Sequence, residues 1–188
     1  MSTPADRVEQ LVLSVNELSR QPGTSRRQHL TFDAPTDLGG EVAAIPPGSP
    51  VDLELLLEAV MEGVLASGEI ATEAKGLCVR CLTPVQWPIE VSFQELFSYP
   101  ERAQAAAEAG QDRQDISEVV AEAIDLNGPV RDALVLALPF QPLCEPSCRG
   151  LCPTCGEMQT GELDHQHDQI DPRWSILEEL LQTQVEES

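Results

Sequence analysis

The chain has 188 residues, the size of one domain, and 41% of them are hydrophobic against only 4% aromatic, so its core must be mostly aliphatic. Thirty-two acidic residues against eleven basic ones give a net charge of −21, which excludes broad, non-specific binding to nucleic acid or anionic membrane, since both need Lys and Arg to neutralise phosphates. No run approaches the ~18 apolar residues of a membrane span, and the start, Met1-Ser2-Thr3-Pro4-Ala5-Asp6-Arg7, lacks a charged-then-apolar signal pattern, so the expectation is a soluble, cytoplasmic protein.

Val8 to Val15 is short and rich in branched residues and reads as a strand. Asn16 to Ser25 ends in Gln-Pro-Gly-Thr-Ser, a turn, and His29 to Phe32 reads as a second short strand. Ala34 to Pro50 carries Pro35, Pro46, Pro47 and Pro50 with Gly39, Gly40 and Gly48, which makes it a loop. From residue 51 the pattern fits an antiparallel meander. Val51, Leu53, Leu55 and Leu57 alternate with Asp52, Glu54 and Leu56, and further strands are expected at Val64–Ala74 and Val85–Phe93. A helix over Leu53–Leu65 is the rival, because Leu, Glu and Ala favour helix locally.

Residues 99–115 contain little to bury and read as an acidic solvated linker or a loose helix. Order returns at Ile116–Ile124. Asn127 to Leu138 is a helix, with Asn127 as its cap, Pro129 in its first turn, and Val130, Leu134, Leu136 and Leu138 supplying the apolar face before Pro139. A last helix starts at Asp171-Pro172-Arg173 and runs through Trp174, Leu177, Leu180 and Leu181, followed by a fraying tail. No internal repeat is visible. The expected class is α+β: an antiparallel β meander or partial barrel with one or two packed helices and a C-terminal Cys/His zinc module. The expected division is a β-rich core over 1–143, a metal module with its helix over 144–181, and a tail over 182–188.

Six cysteines in a chain without an export signal point to metal ligation rather than disulfides. They fall in three pairs: Cys78-Val-Arg-Cys81 between two predicted strands, Cys144-Glu-Pro-Ser-Cys148 after the helix, and Cys152-Pro-Thr-Cys155-Gly156, with His165-Gln-His167 beyond. Two sulfurs two residues apart in a tight turn can hold one ion, and a closed tetrahedral Zn²⁺ takes four Cys or His ligands. Eight candidates make one or two structural zinc sites. Division by locality gives Cys152, Cys155, His165 and His167 one site and Cys78, Cys81, Cys144 and Cys148 the other. A rival division joins Cys78 and Cys81 to Cys152 and Cys155, and a single site with spare thiols is a third possibility. A redox use of Cys-x-x-Cys needs the first cysteine at a helix N-terminus, and neither pair opens a predicted helix. The plain alternative for His165 and His167 is two solvated histidines in an acidic stretch.

Several segments occur in a familiar order: Cys78-Val-Arg-Cys81-Leu82, Ile124-Asp-Leu, Arg131-Asp132, Leu136-Ala-Leu-Pro139, Pro142-Leu-Cys144, Cys148-Arg-Gly-Leu-Cys152-Pro-Thr-Cys155-Gly156 and Asp171-Pro-Arg173. Over roughly residues 10–181 the chain resembles the YceD family, bacterial and chloroplast proteins associated with accumulation of 23S ribosomal RNA. Where many relatives carry Cys-x-Cys, this chain has His165-Gln-His167. The resemblance implies a role in large-subunit assembly and carries no catalytic residues.

The residues supply no catalytic constellation either, and a four-ligand metal site leaves no open position for substrate. The expectation is therefore a non-enzymatic protein with no small-molecule substrate and no membrane partner. Its partner would be the large-subunit ribosomal precursor, met through its RNA or through a basic ribosomal protein. All of the acid excess lies beyond residue 32, so any RNA contact is expected at Arg20, Arg26 and Arg27 or at Arg80 and Arg149 near the cysteines. The same acidity suits an adaptor or chaperone for a basic ribosomal protein, since opposite charges speed encounter. A zinc or redox sensor is the weakest alternative.

Overall fold

The computed structural model describes residues 8–159 apart from 19–20, 37, 111 and 113–115. In chain order the elements are a 3-10 turn (Glu9–Leu11), β1 (Val12–Ser14), β2 (Ser25–Asp33), β3 (Ala43–Ala44), β4 (Pro50–Ala59), β5 (Gly63–Leu77), β6 (Pro84–Ser98), α1 (Pro100–Glu108), β7 (Ala123–Asp125) and α2 (Asn127–Ala137). The fold is α+β with antiparallel strand pairing. The meander β4–β5–β6 forms the centre of a five-stranded sheet, with β2 outside β4 and β3 against the far end of β5. A second, two-stranded sheet pairs β1 with β7.

Period-two alternation explains the central strands. Val51, Leu53, Leu55, Leu57 and Ala59 of β4 are buried, and Val64, Ala66, Ile70 and Ala74 of β5 and Ile89 and Phe97 of β6 join the same layer. The helical rival over Leu53–Leu65 loses because it would scatter those odd-numbered residues around a cylinder, whereas the strand puts all of them on one face. Each such side chain taken out of water contributes about 1.5–3 kcal/mol. Helix α2 packs on β6 and adds Val130, Leu134 and Leu138 to the core, together with Ile124 and Leu126 just before it. Gly63 starts β5 where a Cβ would stand 2.0 Å from the carbonyl oxygen of Phe97, so the hairpin closes only without a side chain there.

All three central strands run longer than their sequence pattern, because hydrogen bonding to neighbours carries them past the apolar run. The expected strand over Val8–Val15 is reduced to a 3-10 turn and three strand residues. Val8 donates its N–H to the Asn127 side chain at 2.8 Å and Leu126 donates to the Leu11 carbonyl at 2.9 Å, tying this segment to the start of α2. The second strand begins at Ser25 rather than His29 and so includes both arginines, since an edge strand tolerates polar residues on its open side. The 34–50 loop contains β3. In the 99–115 segment, Pro100–Glu108 is a helix that buries Ala103, and 116–122 forms only isolated bridges before β7. Asn127 is not the cap of α2. It sits inside the helix, and its side chain donates to Asp125 at 2.7 Å and to the Val8 carbonyl at 3.3 Å. Leu136 is 79% exposed and leaves the expected apolar face. The expected helix from Asp171 and the tail lie outside the described residues. Among the described residues, no helix is long and apolar enough to cross a membrane.

Candidate metal centre

The Cys78–Cys81 pair occupies the tight connection between β5 and β6. Cys78 donates its N–H to the Thr83 carbonyl and Leu82 donates to the Cys78 carbonyl, both at 2.9 Å, with Leu82 at a φ of 60°. The Cys144–Cys148 pair lies in the loop after α2, where Cys148 donates to the Glu145 carbonyl at 3.1 Å. Three bonds lace the loops together. Val79 donates to the Pro142 carbonyl at 3.0 Å, Leu151 to the Arg80 carbonyl at 3.1 Å, and the Arg80 guanidinium to the Cys148 carbonyl at 2.6 Å. Gly150, at a φ of +85°, lets the second loop come this near; a Cβ there would stand 2.8 Å from the Arg80 carbonyl oxygen.

The result brings Cys78, Cys81, Cys144 and Cys148 together, with all four sulfurs within 4.8 Å of one another. The Sγ atoms of Cys78 and Cys148 are 3.8 Å apart and those of Cys81 and Cys144 are 3.6 Å apart. None of the six cysteines is in a disulfide. Cys78, Cys81 and Cys148 are buried against Val85, Leu143 and Leu151, while Cys144 faces solvent.

The thiols are pushed in opposite directions. Burial pushes Cys78 up, but backbone N–H groups of Cys144, Cys81 and Arg80 outweigh it and bring it down to about 6. Cys81 is lowered, chiefly by the Thr83 hydroxyl, which lies 3.2 Å from its sulfur. Cys144 is pushed up to about 12 by the neighbouring thiols of Cys148 and Cys81. Burial raises Cys148. Close sulfurs behave this way because the first negative charge makes the next one costly.

The third pair stands apart as a knuckle of its own. Leu151 and Met158 bridge, Cys152 donates to the Glu157 carbonyl at 2.8 Å, and Gly156 donates back to the Cys152 carbonyl at 2.9 Å. Backbone N–H groups point at both sulfurs, Thr154 at Cys152 (3.4 Å) and Glu157 at Cys155 (3.5 Å). The fold thus groups Cys78 and Cys81 with Cys144 and Cys148, not with Cys152 and Cys155. His165 and His167 lie outside the described residues, as does Arg20. Of the other arginines, Arg26 pairs with Glu17 at 3.1 Å, and Arg27, the next residue on β2, points to the opposite face of the sheet. Arg80 straps the two cysteine loops and Arg149 is exposed beside them.

The family model described as "Large ribosomal RNA subunit accumulation protein YceD" matches residues 66–181. The chain belongs to the YceD family. The matched span takes in most of β5, all of β6 and α2, all six cysteines and His165 and His167, but none of β2 or β4. Among curated proteins, an uncharacterized protein of Mycobacterium tuberculosis is 42% identical over 171 residues, covering 91% of this chain and 81% of that one. An uncharacterized protein of Mycobacterium leprae is 34% identical over 185 residues, 98% and 84% of the two chains. The uncharacterized protein YlbN of Bacillus subtilis is 30% identical over 106 residues, 55% and 58%. No solved structure matches the chain.

This YceD chain has a second feature that the sequence reading passed over. The outward face of β2, β4, β5 and β6 is an open trough lined by His29, Asp52, Glu54, Glu69 and Glu90. Glu54 and Glu69 stand directly opposite on neighbouring strands, an arrangement that costs stability. The Thr31 hydroxyl donates to Asp52 at 2.8 Å, His29 lies 3.6 Å from the same carboxylate, and Arg27 joins His29, Glu54 and Glu69 on this face, where its guanidinium partly offsets the acidic charge. The signal was present in the acids that alternate with the buried leucines of β4. Thr83 was also missed, although a hydroxyl two residues past Cys81 was there to read.

Proposed function

We propose that this chain is a non-enzymatic cytoplasmic factor supporting the accumulation of 23S ribosomal RNA during large-subunit assembly, and that Cys78, Cys81, Cys144 and Cys148 hold a structural Zn²⁺. Membership of the YceD family carries the first part, and the four-sulfur cluster carries the second. Four thiolates about 2.3 Å from a tetrahedral zinc stand ~3.8 Å from one another, and the Cys78–Cys148 and Cys81–Cys144 sulfur pairs, at 3.8 and 3.6 Å, match that spacing. A divalent cation also removes the conflict among the thiols, because it stabilises every thiolate at once. Backbone N–H groups and the Thr83 hydroxyl supply the surrounding donors that such sites use. Four protein ligands leave no position for a substrate, so the metal fastens the β5–β6 connection to the loop after α2. Cys152 and Cys155, already arranged as a knuckle, would complete a second site with His165 and His167.

The trough favours one route to the ribosomal role. Its carboxylates repel phosphate and suit a Lys- or Arg-rich protein, so the alternative of an adaptor for a basic ribosomal protein keeps its place beside direct RNA contact. Sedimentation of tagged protein through a sucrose gradient, with and without nuclease, tests the ribosomal reading. Migration with large-subunit precursors that collapses after nuclease supports action on the particle. A light fraction holding one basic ribosomal protein supports the adaptor. A light fraction holding neither overturns both. Metal analysis tests zinc separately, with one to two zinc per chain expected.

A further inference from the structure

Strand β6 closes one side of the five-stranded sheet, and among the described residues its outer edge pairs with no strand over residues 84–96. Its register with β5 runs unbroken from Gly63↔Ser98 to Leu77↔Pro84, so residues that bond to β5 alternate with residues that face away. The end of the strand fixes which set is which. Ser98 donates its N–H to the Ser117 carbonyl at 2.8 Å and accepts from Val119 at 3.0 Å, both away from β5, while Tyr99 donates to the Glu62 carbonyl at 3.0 Å. The even-numbered residues of β6 therefore turn their N–H and C=O groups outwards. Two of them, Pro84 and Pro88, have no N–H to offer, and within a strand proline is confined to such edge positions. These prolines blunt the first half of the edge. Glu90, Ser92, Gln94 and Leu96 leave the second half open, and all four are exposed.

The same stretch is incomplete on both faces. On the inner face Val91 and Phe93 pack against the core yet stay only partly buried, whereas Ile89 and Phe97 to either side are buried. On the outer face Ser92 stands opposite Glu69, which stands opposite Glu54, and Glu90 is diagonal to Glu69. A residue added opposite Ser92 would have only that small side chain between it and Glu69, with Glu90 on its diagonal. The position suits lysine or arginine, whose long stem lies along the sheet while its charge reaches the carboxylates. A second copy of this chain, at a net charge of −21, would bring further carboxylates to the same place.

We propose that residues 90–96 of β6 take an extended segment of a basic protein as a further strand of the sheet. Backbone bonds to Glu90, Ser92, Gln94 and Leu96 supply the pairing. Lysine or arginine at alternate positions of the segment lies over the outer face, and apolar residues between them finish the cover over Val91 and Phe93. That the partner is a basic ribosomal protein rests on the adaptor reading above; the open edge and its charge do not.

The test is residue-resolved amide exchange by nuclear magnetic resonance on the full chain. The probe is a short peptide alternating lysine and valine, and the control is its glutamate counterpart. In the free chain the N–H groups of Ser92, Gln94 and Leu96 should exchange fast and those of Val91, Phe93 and Glu95 slowly. At saturation the lysine peptide is expected to slow the first set by ~10-fold or more, and the glutamate peptide to leave it unchanged. A lysine peptide that does not bind, or that binds by charge alone without protecting those amides, overturns the proposal. So does slow exchange of the first set in the free chain, because the edge is then already occupied by the chain itself or by a second copy. Ser92→Pro removes an N–H that β5 does not use and repeats the arrangement at Pro88. It is expected to abolish the protection while far-ultraviolet circular dichroism stays unchanged. Glu90→Lys leaves the backbone untouched and is expected to weaken the lysine peptide by roughly tenfold; unchanged affinity there overturns the proposal even where the proline variant fails to fold. A basic ribosomal protein that co-sediments equally well with Ser92→Pro sinks this inference and leaves the adaptor reading standing.

Discussion

Asn127→Asp distinguishes a helix cap from a tether. If residue 127 only capped α2, Asp would replace Asn at almost no cost, since the two are equally good caps. In the structure its side-chain amide donates to the Asp125 carboxylate at 2.7 Å and to the Val8 carbonyl at 3.3 Å, and its oxygen accepts from the Val8 N–H at 2.8 Å. Asp keeps the acceptor but loses both donors and sets a second carboxylate against the first. A hydrogen bond to a charged group contributes about 1.5–3 kcal/mol, and two unit charges ~3 Å apart repel by about 1.4 kcal/mol even at the dielectric constant of water. The substitution should therefore cost about 3 kcal/mol, while Asn127→Ala, which adds no charge, should cost about 2 kcal/mol. For a domain of this size the first value lowers the melting temperature by ~6–12 °C. Thermal unfolding at neutral pH, followed by circular dichroism, reads both variants against the parent. An Asp variant as stable as the parent, or more stable than the Ala variant, would refute the tether.

Cys148→Ser should lower the zinc content by one per chain and make the remaining fold sensitive to heat, whereas Ser147→Ala, exposed in the same loop, should do neither; atomic absorption and a melting curve check both. Zinc affinity should fall as pH falls. Cys144 and Cys148 have raised pKa values without metal, so at pH 7 they are still protonated and zinc must displace at least those two protons. Calorimetric titration of metal-free protein in buffers of different ionisation enthalpy should show that release, and binding without proton release would contradict it. Gly63→Ala forces a Cβ to 2.0 Å from the Phe97 carbonyl and should cost more than ~2 kcal/mol, in the range of overpacked backbone sites. Gly128→Ala, with open space around it in the first turn of α2, should stabilise by about 0.5–1 kcal/mol in urea unfolding.

The parts of the fold that could be read directly were those in which one residue's surroundings repeat. The alternation of Val51, Leu53, Leu55 and Leu57 is a local signal and gave β4, and the cysteine spacing gave the two loops that form the cluster. What was hidden depended on contacts between residues far apart in the chain. Asn127 looks like a cap until Val8, 119 residues away, arrives to use the same side chain. Nothing around Val8–Val15 announces that Leu11 will be held by Leu126. The arginines of β2 looked like one basic patch because they are adjacent in sequence, but a strand sends neighbours to opposite faces. Leu136 read as core because its spacing fits a helix, and only the direction from which β6 approaches α2 decides which side of that helix is covered.

The cysteine cluster also has a schedule. Cys81 and Cys144 are separated by 63 positions, and at about 5–20 residues per second of synthesis the first pair waits roughly 3–13 s for its partners. During that interval the β5–β6 hairpin, whose strands pair over their full length with a short connection, has everything it needs to form. Its tip then presents Cys78 and Cys81 to the cell without Cys144 and Cys148 beside them. A nascent chain at that stage is open to oxidants and to stray metal in a way the finished protein is not. Its exposure ends only when α2 and the loop behind it have emerged, so the cluster can close only after most of the chain has been made.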